Sequence, residues 1–235
     1  MGTGPSWKGD HHSGNGSYSV LVVDDHELFS ISLVIALRWH GLRAEQVRTV
    51  SVEAILAAAK DLPTGVAVLD LKLGQAADGQ RLNGCDLVGT LRCQGWTVIV
   101  VSASSDERRI AAAIAAGAIG SVPKSASFDT LLSAILSAVT GKTLLSESEQ
   151  RIWLDLHRRH LAEEHELALQ LERLTKRERA VLEMLAEGHR AATIADKFVV
   201  SLTTVRSQIQ SILSKLAVNS QLEAVALLRE YRNGV

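Results

Sequence analysis

The stretch that decides the fold of the first part of the chain is Tyr18-Ser19-Val20-Leu21-Val22-Val23-Asp24-Asp25, residues 18–25. A short apolar run that ends in acidic residues is typical of a buried strand in a parallel sheet. Similar runs recur and alternate with stretches of helical period. The strand-like runs are 18–23, 42–47, 66–69, 97–101 and 119–122, and the helical stretches are 26–39, 52–60, 84–93, 106–116 and 128–140. This alternation predicts an α/β doubly wound, five-stranded parallel sheet.

Acidic side chains follow two of these strands. Asp24 and Asp25 end the first run, and Asp70 follows the third. Because the carboxyl ends of neighbouring central strands open onto one crevice, we expect the three carboxylates to lie close together. They repel one another unless a divalent cation neutralises them, and a set of oxygen ligands with retained waters suits Mg²⁺. The sequence therefore predicts a Mg²⁺ site that could also bind a phosphoryl oxygen.

Two further polar side chains end the remaining strands. Ser102 follows the fourth run and Lys124 follows the fifth. A hydroxyl and an ammonium group in the same crevice could both contact a phosphoryl group. Each residue alone is more typical of an ordinary solvated strand end than of a functional site. The ordered set at successive strand ends favours a functional site.

In this order, these residues make the segment 18–140 resemble the receiver domain of two-component response regulators, which has a flavodoxin-like fold. The resemblance implies that a partner sensor histidine kinase donates a phosphoryl group to an aspartate, giving an acyl phosphate. The residues implied in that reaction are Asp70 as the phosphoacceptor, Ser102 and Lys124. The implied Mg²⁺ ligands are Asp24, Asp25, Asp70 and the backbone carbonyl of Lys72.

Three features depart from the receiver pattern. The loop 71–83 is longer than usual before the matching glycine, Gly84. Ser121 stands at the position of the aromatic switch residue, and Pro123 precedes Lys124 instead of following it. The acceptor chemistry is therefore predicted to be intact, whereas the route of signal transmission is predicted to differ.

The stretch LTKRERAVL (174–182), together with VSLTTVR (200–206), resembles the LuxR-type DNA-binding domain of the NarL/FixJ response regulators. Residues 174–235 are accordingly predicted to form an all-α, four-helix domain with a helix-turn-helix. Capping signals support the helix starts and ends, namely Thr175 with Glu178, Ser220 with Glu223, Ser201 and Gly188. Arg190 replaces the usual small cap residue before the second helix, and Gln208 stands where His is common.

Periodicity predicts which face of helix 202–216 faces DNA. One apolar stripe is assigned to the core: Val205, Ile209, Ile212, Leu213 and Leu216. Polar side chains on the rest of the helix are candidates for contacts with double-stranded promoter DNA: Thr203, Arg206, Ser207, Gln208, Gln210, Ser211 and Lys215. An ordinary solvated face would show the same pattern, and the family resemblance favours DNA binding.

Two segments lie outside the predicted domains 18–141 and 174–235. Residues 1–17 are rich in Gly, Ser and His, including His11 and His12, and are predicted to be a disordered tail. Residues 142–173 are predicted to be a helical linker, which could be one long helix, two shorter helices or a helix that packs on the receiver. The linker has an apolar face consisting of Ile152, Trp153, Leu156, Leu167 and Leu171, interrupted by His160, Glu163 and Glu164.

Charge and cysteine content agree with this organisation. The whole chain has a net charge of −1. Segment 174–235 has nine Lys/Arg against six Asp/Glu, a net charge of +3, whereas segment 18–126 has ten against eleven, a net charge of −1. Cys85 and Cys93 lie two turns apart on one predicted helix, too far for a disulfide, which favours a reduced, cytoplasmic protein. We expect no secretion signal and no membrane contact.

The sequence thus predicts a DNA-binding response regulator, not an enzyme, that controls transcription as a homodimer. Candidate dimer surfaces are the apolar face of the linker and the final helix, where Leu222, Val225 and Ala226 recur. One alternative keeps DNA binding but makes the receiver a phosphorylation-independent dimerisation module. A less favoured alternative is a Mg²⁺-dependent phosphohydrolase with Asp70 as the nucleophile.

Overall fold

The computed structural model describes residues 18–47, 51–75, 81–103 and 106–234. The predicted tail 1–17, with His11 and His12, lies outside these residues. The chain forms two compact units, and the division between them falls between Leu156 and His157. In the described ranges, no helix combines the length and the apolar character needed to cross a membrane.

The first unit alternates strands and helices as the sequence pattern predicts. Its elements are β1 (Ser19–Val23), α1 (Glu27–Trp39), β2 (Arg43–Val47), α2 (Val52–Lys60), β3 (Val66–Asp70), β4 (Lys72–Gln75), β5 (Arg81–Asn83), α3 (Gly84–Cys93), β6 (Thr97–Ser102), α4 (Glu107–Ala115), β7 (Gly120–Pro123) and α5 (Phe128–Val139). The five strand-like runs and the five helical stretches are confirmed, with ends that move by one residue at most. Polar side chains cap the starts of α2 to α5, as Ser51 and Ser127 do for α2 and α5, whereas His26 provides no side-chain cap for α1.

Five strands form one parallel sheet in the order β2-β1-β3-β6-β7. In β1, Val20 and Val22 belong to one hydrophobic core, whereas Leu21 and Val23 belong to another. Because successive strand residues point to opposite faces, both faces of the sheet are covered, and the doubly wound prediction is confirmed. The strand order reverses between β1 and β3, so the carboxyl ends of these two strands form the crevice where ligands bind in such sheets.

The long segment 71–83 contains structure that the sequence pattern did not predict. Strands β4 and β5 pair antiparallel as a separate two-stranded sheet. Leu71, Leu73 and Leu82 are buried in the core that α2 and α3 also line. Residues 76–80 lie outside the described part of the chain. Apolar side chains therefore tie both strands of this hairpin to the body of the first unit.

The linker region is one continuous helix, α6 (Glu147–Glu172), so the alternative of two shorter helices is wrong. Leu171 is buried in the core of the second unit, and Leu167 packs against that core. These two side chains therefore stabilise the second unit and are not available as the predicted dimer face. The division between the two units falls inside this helix.

Four helices follow α6, namely α7 (Lys176–Ala186), α8 (Ala191–Phe198), α9 (Leu202–Lys215) and α10 (Gln221–Gly234). Thr175 and Glu178 form the predicted capping box, and Ser201 caps α9. Gly188 follows α7 with φ +87°, a left-handed conformation that glycine adopts at little cost. Arg190 precedes α8 without a side-chain cap. Val225 is buried in the core of this unit, which removes it from the predicted dimer surface, whereas Leu222 is exposed.

Candidate functional site

The carboxylates of Asp24, Asp25 and Asp70 meet at the carboxyl ends of β1 and β3. These strands are direct neighbours, with Val23 paired to Leu69. The side chains of Asp24 and Asp70 are buried, and that of Asp25 is about one-third exposed. One donor atom from each of the three lies within 4.8 Å of the others. The predicted proximity of these acids is confirmed.

Lys124 lies between two of these carboxylates. Its Nζ is 2.6 Å from Asp70 Oδ2 and 2.6 Å from Asp24 Oδ2, and it also lies 5.2 Å from the centre of the Phe29 ring. Burial by itself would lower the pKa of Lys124, but the close contacts with the carboxylates of Asp24 and Asp70 outweigh it and raise the pKa. Lys124 is therefore a cation that compensates part of the negative charge of the crevice.

Asp70 combines burial with contacts on both of its oxygens. Oδ1 accepts a hydrogen bond from the backbone N–H of Lys72 at 3.0 Å, and Oδ2 accepts the one from Lys124. Burial raises the pKa of Asp70 above its ordinary value, although Lys124 and the Lys72 N–H act in the opposite direction. The backbone at Lys72 thus lies beside the carboxylate, whereas the role of its carbonyl as a ligand stays a prediction.

Ser102 ends β6, the neighbour of β3 in the sheet. Asp70 pairs in register with Val101, so Ser102 lies one residue further toward the carboxyl edge. Ser102 is buried, and its carbonyl accepts a hydrogen bond from the N–H of Lys124 at 2.9 Å. Sequence position therefore predicted correctly that Asp70, Ser102 and Lys124 share one edge of the sheet. Ser121, at the position of the aromatic switch, is half-buried on β7.

His26 belongs to this cluster and was not predicted. Its Nδ1 lies 2.8 Å from Asp25 Oδ1, 3.2 Å from Asp24 Oδ1 and 3.3 Å from Lys124 Nζ. Its backbone N–H donates to Asp24 Oδ1 at 2.8 Å, which holds the residue over the crevice. The available signal was that His26 directly follows two acids at a strand end. It adds an imidazole nitrogen to an otherwise oxygen-rich set of donors.

The hairpin β4–β5 approaches the same crevice through Gly74. This glycine has φ +69°, and a Cβ atom there would lie 2.9 Å from Asp25 Oδ2. Glycine therefore serves two purposes, because it permits a left-handed backbone and leaves room for the carboxylate. The segment 71–83, which is longer than in the usual receiver pattern, thus forms one wall of the crevice beside Asp25.

Helix α9 in the second unit carries the residues predicted to contact DNA, and they divide into two groups. The first group is exposed and consists of Thr203, Arg206, Ser207 and Gln210. The second group is partly buried and consists of Gln208, Ser211 and Lys215. Ser211 lies beside α7 and not on the exposed face of α9, because its hydroxyl contacts Glu178 of α7. The exposed group is the better candidate for a surface that contacts DNA.

Glu178 explains the position of the second group. Ser211 Oγ donates to Glu178 Oε1 at 2.6 Å, and Lys215 Nζ lies 2.6 Å from Glu178 Oε2. Burial by itself would raise the pKa of Glu178, but the hydrogen bonds from Lys215, Ser211 and Thr175 outweigh it and lower the pKa to about 2. The sequence indicated Glu178 as a helix cap, whereas its link to α9 is visible only in the structure.

Comparisons with known proteins match families in both parts of the chain. The family described as response regulator receiver domain matches residues 20–136, and bacterial regulatory proteins of the luxR family match residues 172–228. The nitrate/nitrite response regulator protein homolog of Haemophilus influenzae is 32% identical over 90% of this chain and 96% of that protein. The chain belongs to the NarL/FixJ-type response regulators.

Two further relatives also match over most of this chain and most of their own length. The DNA-binding transcriptional activator DevR/DosR of Mycobacterium tuberculosis is 31% identical over 91% of this chain and 94% of that protein. The glycerol metabolism activator of Pseudomonas putida is 29% identical over 88% and 93%. This response regulator is therefore a DNA-binding protein that controls transcription, and its receiver domain implies regulation by phosphorylation.

Proposed function

We propose that Asp70 is the residue that a sensor histidine kinase phosphorylates, and that this modification controls binding of the second unit to promoter DNA. The observation that supports this assignment best is the contact of Asp70 with Lys124, 2.6 Å from Nζ to Oδ2, at the carboxyl edge of the sheet. In the reaction, one carboxylate oxygen of Asp70 attacks the phosphorus of a phosphohistidine. The P–N bond breaks, the histidine leaves, and an acyl phosphate forms.

A divalent cation fits the charge of this site. Three carboxylates and one ammonium group leave an excess of two negative charges if all four are ionised, which a single Mg²⁺ would balance. The proposed ligands are Asp24, Asp25, Asp70 and the backbone carbonyl of Lys72. When bound, Mg²⁺ would supply electrostatic stabilisation of the charge on the transferred phosphoryl oxygens. His26 offers a further donor atom beside Asp25.

The chain's own residues would bind the phosphoryl group once it is on Asp70. Lys124 already contacts Asp70 Oδ2, so its ammonium group can pair with a phosphoryl oxygen after a small movement. Ser102 lies on the neighbouring strand at the same edge, where its hydroxyl can donate to another oxygen. We propose these two contacts as the means by which the modification is sensed inside the first unit.

In the second unit, we propose that α9 enters the major groove of promoter DNA and that Thr203, Arg206, Ser207 and Gln210 contact it. Their exposure and their polar character support this assignment. The ammonium group of Lys215 donates one hydrogen bond to Glu178 and has further N–H groups that can bind a DNA phosphate. Ser211 and Gln208 are proposed to support the position of α9 and not to contact DNA. The proposed compartment is the cytoplasm, where the promoter lies, and the proposed active form is a homodimer on two half-sites.

Asp70→Asn tests the acceptor assignment. The full chain is incubated with Mg²⁺ and a labelled acyl phosphate, or with a cognate kinase, and base-labile label on the protein is measured. The wild type is expected to take up label and the Asn variant to take up none. Asp61→Asn, at the C-terminal end of α2, is the matched control and should label normally. Label retained by the Asp70 variant would contradict the assignment.

A second candidate function has one observation in its favour. Ser121 replaces the aromatic residue that usually couples the modification to the surface, which suits a receiver that only dimerises. DNA affinity measured with and without the acyl phosphate separates the two, because only the leading proposal expects a change. A steady release of inorganic phosphate from small phosphate esters would instead favour the phosphohydrolase alternative.

A further inference from the structure

One peptide group lies between the acceptor carboxylate and helix α4. Its N–H, which belongs to Lys72, donates to Asp70 Oδ1 at 3.0 Å. Its carbonyl, which belongs to Leu71, accepts a hydrogen bond from Arg109 Nη1 at 3.2 Å. Because a peptide group is planar, its N–H and its C=O point in opposite directions and move together. This single group therefore links Asp70 on one side to Arg109 of α4 on the other.

Arg109 is part of the capped start of α4. The side chain of Asp106 caps this helix by accepting a hydrogen bond from the N–H of Arg109 at 3.4 Å. The same carboxylate lies 3.4 Å from Arg109 Nε. The carbonyl of Arg109 accepts a hydrogen bond from the thiol of Cys85, on α3, at 3.4 Å. A movement of the Arg109 guanidinium therefore acts on the first turn of α4 and on its contact with α3.

The linking peptide group is closely confined. Leu71 is fully buried, and its carbonyl accepts a second hydrogen bond, from the N–H of Gly84, at 3.3 Å. A Cβ atom at Gly84 would lie 2.1 Å from the carbonyl oxygen of Asp70, so α3 approaches this backbone very closely. Such close packing opposes a shift of the whole segment. Rotation of the peptide plane, which changes the bonds to Asp70 and Arg109 at once, is the movement that remains.

The charges at the two ends of this link depend on the state of Asp70. Arg109 is a permanent cation, and the Asp70 carboxylate is an anion when ionised. Both hydrogen bonds are then charge-assisted, and they polarise each other through the peptide group. An acyl phosphate turns the carboxylate into a neutral mixed anhydride, whichever oxygen carries the phosphorus. Asp70 Oδ1 becomes a weaker acceptor for the peptide N–H, and the bond from Arg109 to the peptide carbonyl weakens with it.

We propose that Arg109 transmits the state of Asp70 to α4 through the peptide group between Leu71 and Lys72. In the unmodified protein, the two hydrogen bonds hold the first turn of α4 against the acceptor segment, and formation of the acyl phosphate releases it. Arg109 is thus a positioning residue, and this route needs no aromatic side chain at the position of Ser121. The inference rests on the proposed function for the phosphorylation of Asp70 and adds the path by which that event leaves the crevice.

Hydrogen exchange in peptides from α4, measured on the full chain with Mg²⁺, tests this route. An acyl phosphate should raise the exchange rate in the first turns of α4 about fivefold in the wild type, since a charge-assisted hydrogen bond becomes an ordinary one. Arg109→Ala should exchange fast from the start and respond little to the donor, and Arg109→Lys should restore part of the response. Arg108→Ala is the matched control, because it removes the same charge at the adjacent, exposed position of α4.

A double-mutant cycle tests the link without any phosphorylation. Asp70→Asn removes the negative charge but keeps the size of the side chain, so it should also raise exchange in α4 about fivefold. In an Arg109→Ala background, Asp70→Asn should have no further effect, because the link is already broken. Uptake of phosphoryl label by Arg109→Ala should equal that of the wild type. A wild type that takes up no label would defeat the phosphorylation assignment, whereas the cycle would still decide the role of Arg109.

Heteronuclear NMR of the wild type gives a measurement that needs no variant. With Mg²⁺ present throughout, the backbone N–H signal of Lys72 and the side-chain N–H signals of Arg109 should shift together when the acyl phosphate is added. The proposal is overturned by a Lys72 shift without an Arg109 shift. It is equally overturned if the effects of Asp70→Asn and Arg109→Ala simply add, or if Arg108→Ala loses the response as fully as Arg109→Ala.

Discussion

Replacing Glu178 by glutamine removes a negative charge that joins α7 to α9. Glu178 Oε1 accepts a hydrogen bond from Ser211 at 2.6 Å. Oε2 accepts bonds from Lys215 at 2.6 Å and from the Thr175 backbone N–H at 2.8 Å. A glutamine side chain keeps the size of glutamate, but it has one acceptor oxygen instead of two and carries no charge. We therefore expect Glu178→Gln to destabilise the second unit without changing its fold.

The magnitude follows from the pKa of Glu178. The contacts lower this pKa from an ordinary value of 4.5 to about 2, which would correspond to about 3 kcal/mol if fully expressed. The Lys215 side chain is 32% exposed, so solvent screens the pair, and we expect about 1–2 kcal/mol at pH 7. Because the folded-state pKa is depressed, this stability is fully present well above pH 4.5. It is lost as the pH falls toward 2.

The test is urea unfolding of the full chain at pH 7 and pH 3. Hydrogen exchange in peptides from α7 and α9 then reports the stability of the second unit separately from that of the first. The wild type should lose part of the stability of these helices between pH 7 and pH 3, and Glu178→Gln should lose less. Glu183→Gln is the matched control on the same helix, because Glu183 pairs with Arg232 at 3.4 Å near the surface. A Glu178 variant as stable as the Glu183 variant would refute the reasoning.

Three further predictions concern the surfaces and the acidic crevice. Arg206→Ala should weaken binding to an operator selected from random DNA by about 1–3 kcal/mol, since Arg206 is exposed on α9. Unchanged affinity in a filter-binding titration at moderate salt would show that a different face of α9 lies in the groove. His26→Ala should lower the affinity for Co²⁺ about tenfold but the affinity for Mg²⁺ less than twofold, because imidazole is a poor ligand for Mg²⁺. Calorimetric titration with each ion measures both affinities. Equal losses for the two ions would argue against a bond between the metal and the His26 nitrogen. Gly74→Ala should weaken Mg²⁺ binding, because the new Cβ atom would lie 2.9 Å from Asp25 Oδ2. Gly41→Ala is the control, because Gly41 has a similar φ of +79° but no atom within 4 Å of the position of a Cβ, and this variant should leave the Mg²⁺ affinity unchanged.

Much of the first unit could be predicted because local pattern and tertiary burial agree there. The central strands β1, β3 and β6 are buried on both faces, so most of their residues are apolar and these runs are easy to recognise. Acids directly after such runs must lie at the carboxyl edge of the sheet. Asp24, Asp25 and Asp70 could therefore be placed together from sequence position alone.

The hairpin β4–β5 and His26 could not be predicted in the same way. The two strands of the hairpin are four and three residues long, too short for a clear alternation of apolar and polar residues. Whether Leu73 and Leu82 are buried depends on the core that other elements supply. His26 is likewise ambiguous, because a histidine at the start of a helix often points into solvent.

In the second unit, sequence alone determined the four helices, their caps and the apolar stripe of α9, because each depends on residues close together in the chain. It did not determine the surroundings of α9. Tertiary structure places Glu178 of α7 against Ser211 and Lys215, which are 33 and 37 residues away, so both side chains lie partly buried beside α7. Helical period identifies the buried centre of a helix but not the width of its buried face. That width is decided by the neighbouring helix and by the side chain that this neighbour directs at it.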